Sequence, residues 1–268
     1  MRDEIPGFPG LSGAPSSLIL HPSSLVHHSL FISDLHLAPE RPAIVEQFFA
    51  FLAGPARDAD ALYVLGDLFE HWLGDDNAED PLNRPVAVGV AALAAAGTPV
   101  YFMHGNRDLL VGQEFARRAS AQLLDDPTVV DLYGARTLLM HGDTLCTDDV
   151  EYLKFRAYAR NPQNQTRFLA QPLEARSAEM EALRLRNVNA KLGKTAQIMD
   201  VNSAAVDQAL RLAAYPRLIH GHTHRPARHL HTIDGHTCER WVLADWYENG
   251  SYLRCDASGC SAIALRPS

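Results

Sequence analysis

The chain has 268 residues, 47% of them hydrophobic, with four cysteines and a formal net charge of −8 at pH 7. That length fits one large domain, or one domain with an inserted subdomain, and the apolar fraction is enough for a sizeable core. The acidic balance argues against a general nucleic-acid binder, whose phosphate contacts need a basic surface. No apolar stretch approaches the roughly 18 residues of a membrane span.

Residues 1–28 are rich in Pro, Gly and Ser, with a short Leu18-Ile19-Leu20 run, one arginine and two early acids. A secretory signal needs a basic start and an unbroken apolar stretch. This segment therefore reads as a disordered extension or a misassigned start. From Ser29 the pattern becomes regular. A strand over 29–33 leads to Asp34-Leu35-His36, and Pro42 opens a helix with apolar positions at Ile44, Val45, Phe48, Phe49 and Leu52, ended by Gly54-Pro55. A second strand, 62–65, runs into Gly66-Asp67 and a loop rich in Trp, Gly and Asp. A helix over 84–96 stops at Gly97, and a third strand, 99–103, leads to Gly105-Asn106-Arg107-Asp108. This β-α-β-α-β order predicts a parallel sheet with right-handed crossovers.

A hairpin over 128–140, turning at Tyr133-Gly134-Ala135, ends at His141-Gly142-Asp143. Residues 147–214 then change character, with few strand formers and many Arg, Lys, Glu and Gln, as expected of an inserted helical cap. Leu218-Ile219 precedes Gly221-His222-Thr223-His224, and Asp234-Gly235 and Asn249-Gly250 mark turns between short strands. The expected fold class is α/β. Its two-sheet sandwich flanked by helices takes in 29–146 and 215–268, with the cap at 147–214.

Five fragments in this order each follow an apolar run that reads as a buried strand. Ligands placed just past strand ends converge on one crevice. A lone Asp-x-His or Gly-Asp is most often a turn, but five such coincidences in order are hard to reach by chance. Two divalent ions about 3.5–4 Å apart clamp a phosphoryl group and lower the pKa of a bridging water. Asp67 is the natural bridge, because the glycine before it lets the backbone approach closely. Asp34, His36 and one of His222 and His224 complete the first shell; Asn106, His141 and the other histidine complete the second. Imidazole with hard oxygen and no thiolate favours manganese, with iron or zinc as alternatives ahead of magnesium or calcium. His104 and His220 are expected to pack or to support the ligands, and His71 is a loop histidine without a partner. Cys146, Cys238, Cys255 and Cys260 form no CxxC pair, which argues against structural zinc, and reduced thiols are expected; Cys255 and Cys260 flank an Asp-Ala-Ser-Gly turn, so a hairpin disulfide is the alternative.

These residues resemble the calcineurin-like metallophosphoesterases, whose signature runs D-x-H, G-D, G-N-[H/R]-[D/E], a histidine, then G-H-x-H. The match covers nearly everything from Ser29 to Trp246. Many members carry histidine after Gly-Asn to protonate an alkoxide; here Arg107 stands there. A phosphate leaving group needs little protonation and is better served by a fixed cation, so Arg107 points to diphosphate cleavage. The strings around Gly66-Asp67-Leu68-Phe69-Glu70-His71-Trp72, His141-Gly142-Asp143-Thr144-Leu145 and Ile198-Met199-Asp200-Val201 are similar to one subfamily, the UDP-2,3-diacylglucosamine diphosphatases of lipid A biosynthesis.

The resemblance implies a Mn-dependent, peripheral enzyme of the cytoplasmic side of the bacterial inner membrane. In it metal-activated water attacks the α-phosphorus to give UMP and 2,3-diacylglucosamine 1-phosphate. It implies no nucleic acid and no obligate protein partner. Asp34, His36, Asp67, Asn106, His141, His222 and His224 carry over as the ligands of two manganese ions, with Asp67, Asn106, Arg107 and His141 catalytic. Substrate contacts carry over to Asn106, Arg107, Asp149, Tyr152, Asn187, Lys191, Lys194 and His222. Asn187, Lys191 and Lys194 share one helix face by spacing. Leu153, Phe155, Tyr158, Phe168 and Leu169 are expected to line an apolar groove, with Arg156, Arg160 and Arg167 toward anionic lipid or phosphate. Two rivals remain: another dinuclear nucleoside-diphosphate or dinucleotide hydrolase, and a non-catalytic scaffold, which would be expected to have lost ligands.

Overall fold

The structure, a computed structural model, describes residues 27–191 and 200–265. The predicted extension therefore lies, up to residue 26, outside the described residues, and His28 opens the first strand.

One sheet holds β1 (His28–Ile32), β2 (Ala61–Leu65), β3 (Val100–Met103) and β4 (Ala121–Leu124) in parallel. The other sheet is built from β5 (Thr128–Leu132), β6 (Ala135–Met140), β7 (Arg217–His220), β8 (Ala227–Ile233) and β9 (His236–Val242), in the order β5-β6-β7-β9-β8. The antiparallel hairpin β10 (Ser251–Asp256) and β11 (Gly259–Ala264) closes the first sheet beside β1. The helices are α1 (Pro42–Ala53), α2 (Asn83–Ala95), α3 (Gln113–Arg118), α4 (Val150–Ala159), α5 (Pro162–Leu169), α6 (Leu173–Lys191) and α7 (Ser203–Leu212). The predicted strands and the first two helices match to within a residue or so. Helix α3 and strand β4 go beyond the predicted pattern, being too short to show a period.

Alternation along the strands feeds two cores. Leu30, Ile32, Leu62, Val64 and Phe102 face α1–α3, where Phe48, Phe51 and Phe115 are buried. Phe31, Tyr63, Tyr101 and Met103 face the other sheet and meet Val130, Leu139 and Ile219. Burial on both faces explains why these strands read as unbroken apolar runs. On the far side of the second sheet, α7 packs Val206, Ala209 and Leu210 against Leu138, Met140 and Leu218. Asn202 caps α7, its side-chain oxygen accepting from the backbone N–H of Ala204 at 2.9 Å. The four layers are thus helix, sheet, sheet, helix.

Helices α4 and α5 bury no residue and, with α6, are called the cap below; α7, which the expected 147–214 boundary puts in the cap, instead packs on the second sheet. The thiol expectation is corrected at one pair: Cys255 and Cys260 form a disulfide. They face each other directly across the β10–β11 hairpin with Cα atoms 4.1 Å apart, so strand register brings the sulfurs together. Cys146 and Cys238 are buried thiols outside that disulfide. Among the described residues, no helix is long and apolar enough to cross a membrane.

Candidate metal centre

All five fragments leave the carboxyl ends of parallel strands: β1, β2 and β3 in one sheet, β6 and β7 in the other. Five of the residues they carry have left-handed backbones: Asp34 (φ 56°), His36 (51°), Asp67 (53°), His222 (69°) and His224 (54°). That conformation costs a residue with a Cβ about 1–2 kcal/mol, so neighbouring loops must enforce it. Hydrogen bonds between loops do so: Asp34 N–H donates to Gly66 O (3.1 Å), His36 N–H to Asp67 O (3.0 Å) and Gly221 N–H to His141 O (2.9 Å). The Asp34 carboxylate accepts from His222 N–H at 2.8 Å. Asp108, fully buried, accepts from the backbone N–H groups of Leu68 (2.8 Å), Gly105 (2.9 Å) and Asp67 (3.2 Å), joining two loops. Burial and the neighbouring Asp67 carboxylate push the Asp108 carboxyl up to about 6. Two glycines are dictated by crowding. A Cβ on Gly105 would lie 2.0 Å from Asp67 Oδ1, and one on Gly221 would lie 2.2 Å from Ser33 Oγ.

The side chains form two overlapping clusters. Donor atoms of Asp34, His36 and His224 lie within 4.8 Å of one another, as do those of Asp34, Asp67 and His141. Asp67 sits between them, with Oδ2 3.8 Å from His36 Nε2 and Oδ1 3.9 Å from His141 Nε2. His224 Nε2 is 3.4 Å from Asp34 Oδ1, and Asn106 Oδ1 is 3.2 Å from His141 Nε2. The His222 ring lies 5.0 Å from that of His141. The choice left open by the sequence is thereby made: His224 joins Asp34 and His36, while His222 lies on the His141 side. Atoms about 3–4 Å apart are spaced as ligands sharing an ion with bonds of about 2.0–2.2 Å.

The donor set fits divalent ions on three further grounds. Among the described residues, His36 Nε2 is buried without a hydrogen-bond partner and Asp34 Oδ1 has only the long contact to His224 Nε2 at 3.4 Å; an unmet buried polar atom costs about 1–3 kcal/mol. Three histidines have Nδ1 engaged: His36 by Glu70 (2.9 Å), His224 by Asp245 (2.9 Å) and His141 by the Leu65 carbonyl (2.9 Å). Each Nε2 is left to face the cluster, as ligating histidines require. Finally, the centre attracts positive charge. Burial alone would lower His141, but the carboxylates of Asp67, Asp143 and Asp34 reverse this and raise it to about 9. Burial likewise opposes His224, and Asp245 and Asp34 raise it to about 9. His222, buried beside His141, falls to about 4 and stays neutral.

A cavity of about 490 Å³ opens over this centre and runs under the cap. His36, Asp67, Asn106, Arg107 and His222 line one part of it. Arg107 Nη1 is 3.5 Å from Glu70 Oε1, and its backbone N–H donates to Asp67 Oδ1 at 2.8 Å. Asp149 lines the cavity and caps α4, accepting from Tyr152 N–H at 3.1 Å. Tyr152 also lines it, with its ring 5.6 Å from that of His222, but its hydroxyl donates to Asp143 at 2.7 Å. His71, left without a role by the sequence, is another lining residue. Asn187 and Lys191 belong to α6, their side chains lying outside the described residues, as does all of Lys194.

Of the five residues expected to line the apolar part, Phe155, Tyr158 and Phe168 do so, joined by Leu110, Met180 and Leu183, while Leu153 and Leu169 do not. Two of the arginines differ from expectation. Arg156 donates to the buried Asp143 at 2.7 Å, and Arg160 donates to the Gly105 carbonyl at 3.1 Å. Arg156 pairs with a buried carboxylate, which needs a cation more than lipid does, and Arg160 meets a backbone carbonyl, so both arginines tie the end of α4 to the core. His104 and His220 are supporting residues, bonded to the Val111 carbonyl (2.6 Å) and to Arg240 (3.1 Å) respectively. Glu70 and Asp245 carry no signal alone, the available clue being an acid a few residues past a strand end, whereas Asp108 stands at the acidic position of the Gly-Asn-Arg-Asp fragment.

A family profile described as Calcineurin-like phosphoesterase matches residues 27–226. The chain belongs to that family. The matched span holds all five fragments of this calcineurin-like phosphoesterase, from Asp34 to His224. A protein named UDP-2,3-diacylglucosamine hydrolase from Aromatoleum aromaticum is 54% identical over 238 residues, covering 89% of this chain and 96% of that protein. One of the same name from Xanthomonas axonopodis pv. citri is 53% identical over 244 residues, covering 88% and 98%.

Proposed function

We propose that this protein hydrolyses the diphosphate of UDP-2,3-diacylglucosamine, releasing UMP and 2,3-diacylglucosamine 1-phosphate in lipid A biosynthesis. The observation that carries the reading is a single cavity lined both by the metal-centre residues and by Phe155, Tyr158, Phe168 and Met180. Such a space suits a charged head joined to acyl chains. The near-full-length relatives named for this substrate support it.

Two divalent ions, manganese in this reading, supply Lewis acidity and an activated water when bound. Asp34, His36, Asp67 and His224 would hold one, and Asp67, Asn106, His141 and His222 the other. Arg107 orients the diphosphate and stabilises charge on the leaving phosphate without having to give up a proton. Glu70 holds Arg107 from one side and fixes the His36 tautomer from the other. Asp149, Tyr152, Asn187, Lys191 and Lys194 are assigned to the sugar and its phosphate, and the cap as a whole to recognition of the lipid. The acylated substrate places the enzyme peripherally, on the cytoplasmic side of the inner membrane.

The test is UMP release from UDP-2,3-diacylglucosamine with Mn²⁺, against EDTA and with UDP-glucose as control. Mn-dependent release from the acylated substrate alone is the expected result. Equal cleavage of UDP-glucose would remove the lipid assignment and favour a general nucleoside-diphosphate hydrolase.

A further inference from the structure

Arg176 is a charged residue almost without contact with water: it is 2% exposed, on the second turn of α6. Its Nη1 donates to the Leu73 carbonyl at 2.6 Å and to Asp76 Oδ1 at 2.8 Å, and its Nη2 pairs with Asp76 Oδ2. The loop presses closely on this guanidinium: a Cβ on Gly74, at φ 130°, would meet Arg176 Nη1 at 2.6 Å and Leu169 at 2.7 Å.

Both ends of this contact lead to the reaction cavity. Along α6, Glu179, Met180 and Leu183 lie three, four and seven residues after Arg176, on the same helical face, and all three line the cavity. Along the loop, Glu70, His71 and Trp72 line it too, and Glu70 reaches His36 and Arg107. The loop is fixed on its core side. The Trp72 indole packs at 4.7 Å from Phe69 and donates to Asp75 at 3.0 Å. Asp75 in turn accepts from the backbone N–H groups of Gly112 and Glu114, each at 2.9 Å, at the start of α3. Adjacent acids thus have opposite duties: Asp75 grips the core and Asp76 grips the cap.

We propose that Arg176 is a positioning residue which, through Asp76 and the Leu73 carbonyl, sets α6 at the separation from the metal centre that an acylated substrate requires. It governs recognition of the lipid without touching it. The inference rests on the function proposed above. A bidentate guanidinium–carboxylate contact fixes angle as well as distance, so a lysine there keeps the charge and loses the geometry.

The experiment compares Arg176→Gln, Arg176→Lys and Asp76→Asn with wild type in the full-length protein. Readouts are KM and kcat on UDP-2,3-diacylglucosamine, the Mn²⁺ midpoint from thermal shift, and hydrogen exchange over 173–183. The expected result is a KM increase on the order of 10-fold for Arg176→Gln, the scale of one lost charged hydrogen bond. kcat and the Mn²⁺ midpoint stay within about 2-fold, exchange rises in α6 but not in the 34–37 loop, and Arg176→Lys recovers part of the loss. Asp76→Asn, on an exposed loop, reproduces the KM effect if Arg176→Gln fails to fold. Unchanged KM in a folded variant overturns the inference while leaving the function standing. So does a parallel fall of kcat and Mn²⁺ affinity, which marks a merely structural role. A wild type that releases no UMP removes the functional reading and this inference together.

Discussion

The metal centre and the cap are held to the same core in opposite ways. At the centre, every candidate ligand sits within a residue or a few of a buried strand, and hydrogen bonds between loops fix backbones that are individually unfavourable. In the cap, α4 and α5 bury no residue, and attachment falls to polar ties such as Arg156 to Asp143, Arg160 to Gly105 and Arg176 to Asp76. Chemistry is therefore placed by the rigid part of the molecule and recognition by the part that is easiest to displace. Damage at the centre should abolish turnover with the cap intact; damage in the cap should weaken binding with the centre intact.

The largest effect is expected at Asp67. Asparagine keeps its size and tolerates the left-handed backbone that alanine resists. Asp67→Asn should therefore remove the bridging charge without unfolding the loop. Losing several kcal/mol of transition-state stabilisation lowers kcat on the order of 10³-fold or more. A melting temperature within a few degrees of wild type, together with activity as low as that of the EDTA-treated protein, is the expected pair of results. Retention of most activity would sink the two-metal centre.

Glu70→Gln comes next. It keeps a contact to His36 Nδ1 but weakens the charge that fixes the tautomer and pairs with Arg107. Partners of this kind typically contribute about 10–100-fold to metal affinity or activity. The Mn²⁺ midpoint and kcat should move together, in contrast to any cap variant. A change in KM alone would place Glu70 with the cap and blur the division.

Legibility in the sequence follows the same division. The metal centre was readable because buried strands give apolar runs and each run is followed at once by its ligands, as in Leu30-Phe31-Ile32 before Asp34 and His36. The assignment of His222 and His224 to different sides was not readable, since it depends on loops from two sheets meeting. Glu70 and Asp245 stayed hidden for the same reason: each acts by touching a histidine from a different loop. In the cap, composition gave helices and three of the lining aromatics. It misdirected Arg156 and Arg160, because an arginine bonded to a buried carboxylate or to a backbone carbonyl looks the same in one dimension as one facing lipid or phosphate. The Cys255–Cys260 bond was legible only as the less favoured alternative to reduced thiols, because the turn brings the two cysteines near but the facing of their sulfurs depends on hairpin register.

A smaller, selective effect is expected at Phe168, which lines the apolar part of the cavity. Phe168→Ala should raise KM for the acylated substrate about 10-fold, the loss of a partly buried aromatic contact, with kcat and the Mn²⁺ midpoint unchanged. Equal losses in KM and kcat would mean that the cap contributes to the chemical step.

The smallest effect is also the one that isolates charge from shape in the cap. The Arg176 hydrogen bond holds the Asp76 carboxyl below its ordinary value of 3.8, against an opposing push from burial. An acid whose folded value is depressed contributes stability above its unfolded value and loses it as pH falls through the folded one. The Asp76 side chain is 57% exposed, so solvent screens the pair and the contribution is small. Wild type should melt about 1–3 °C above Asp76→Asn near neutrality. The gap should hold down to about pH 5 and narrow below the ordinary aspartate range, where the wild-type carboxyl takes up its proton. Taking the difference between the two proteins cancels the other carboxylates that titrate in the same window. A gap that survives unchanged at pH 3 would show that Asp76 holds α6 by its shape and hydrogen-bonding pattern, leaving the ion pair incidental.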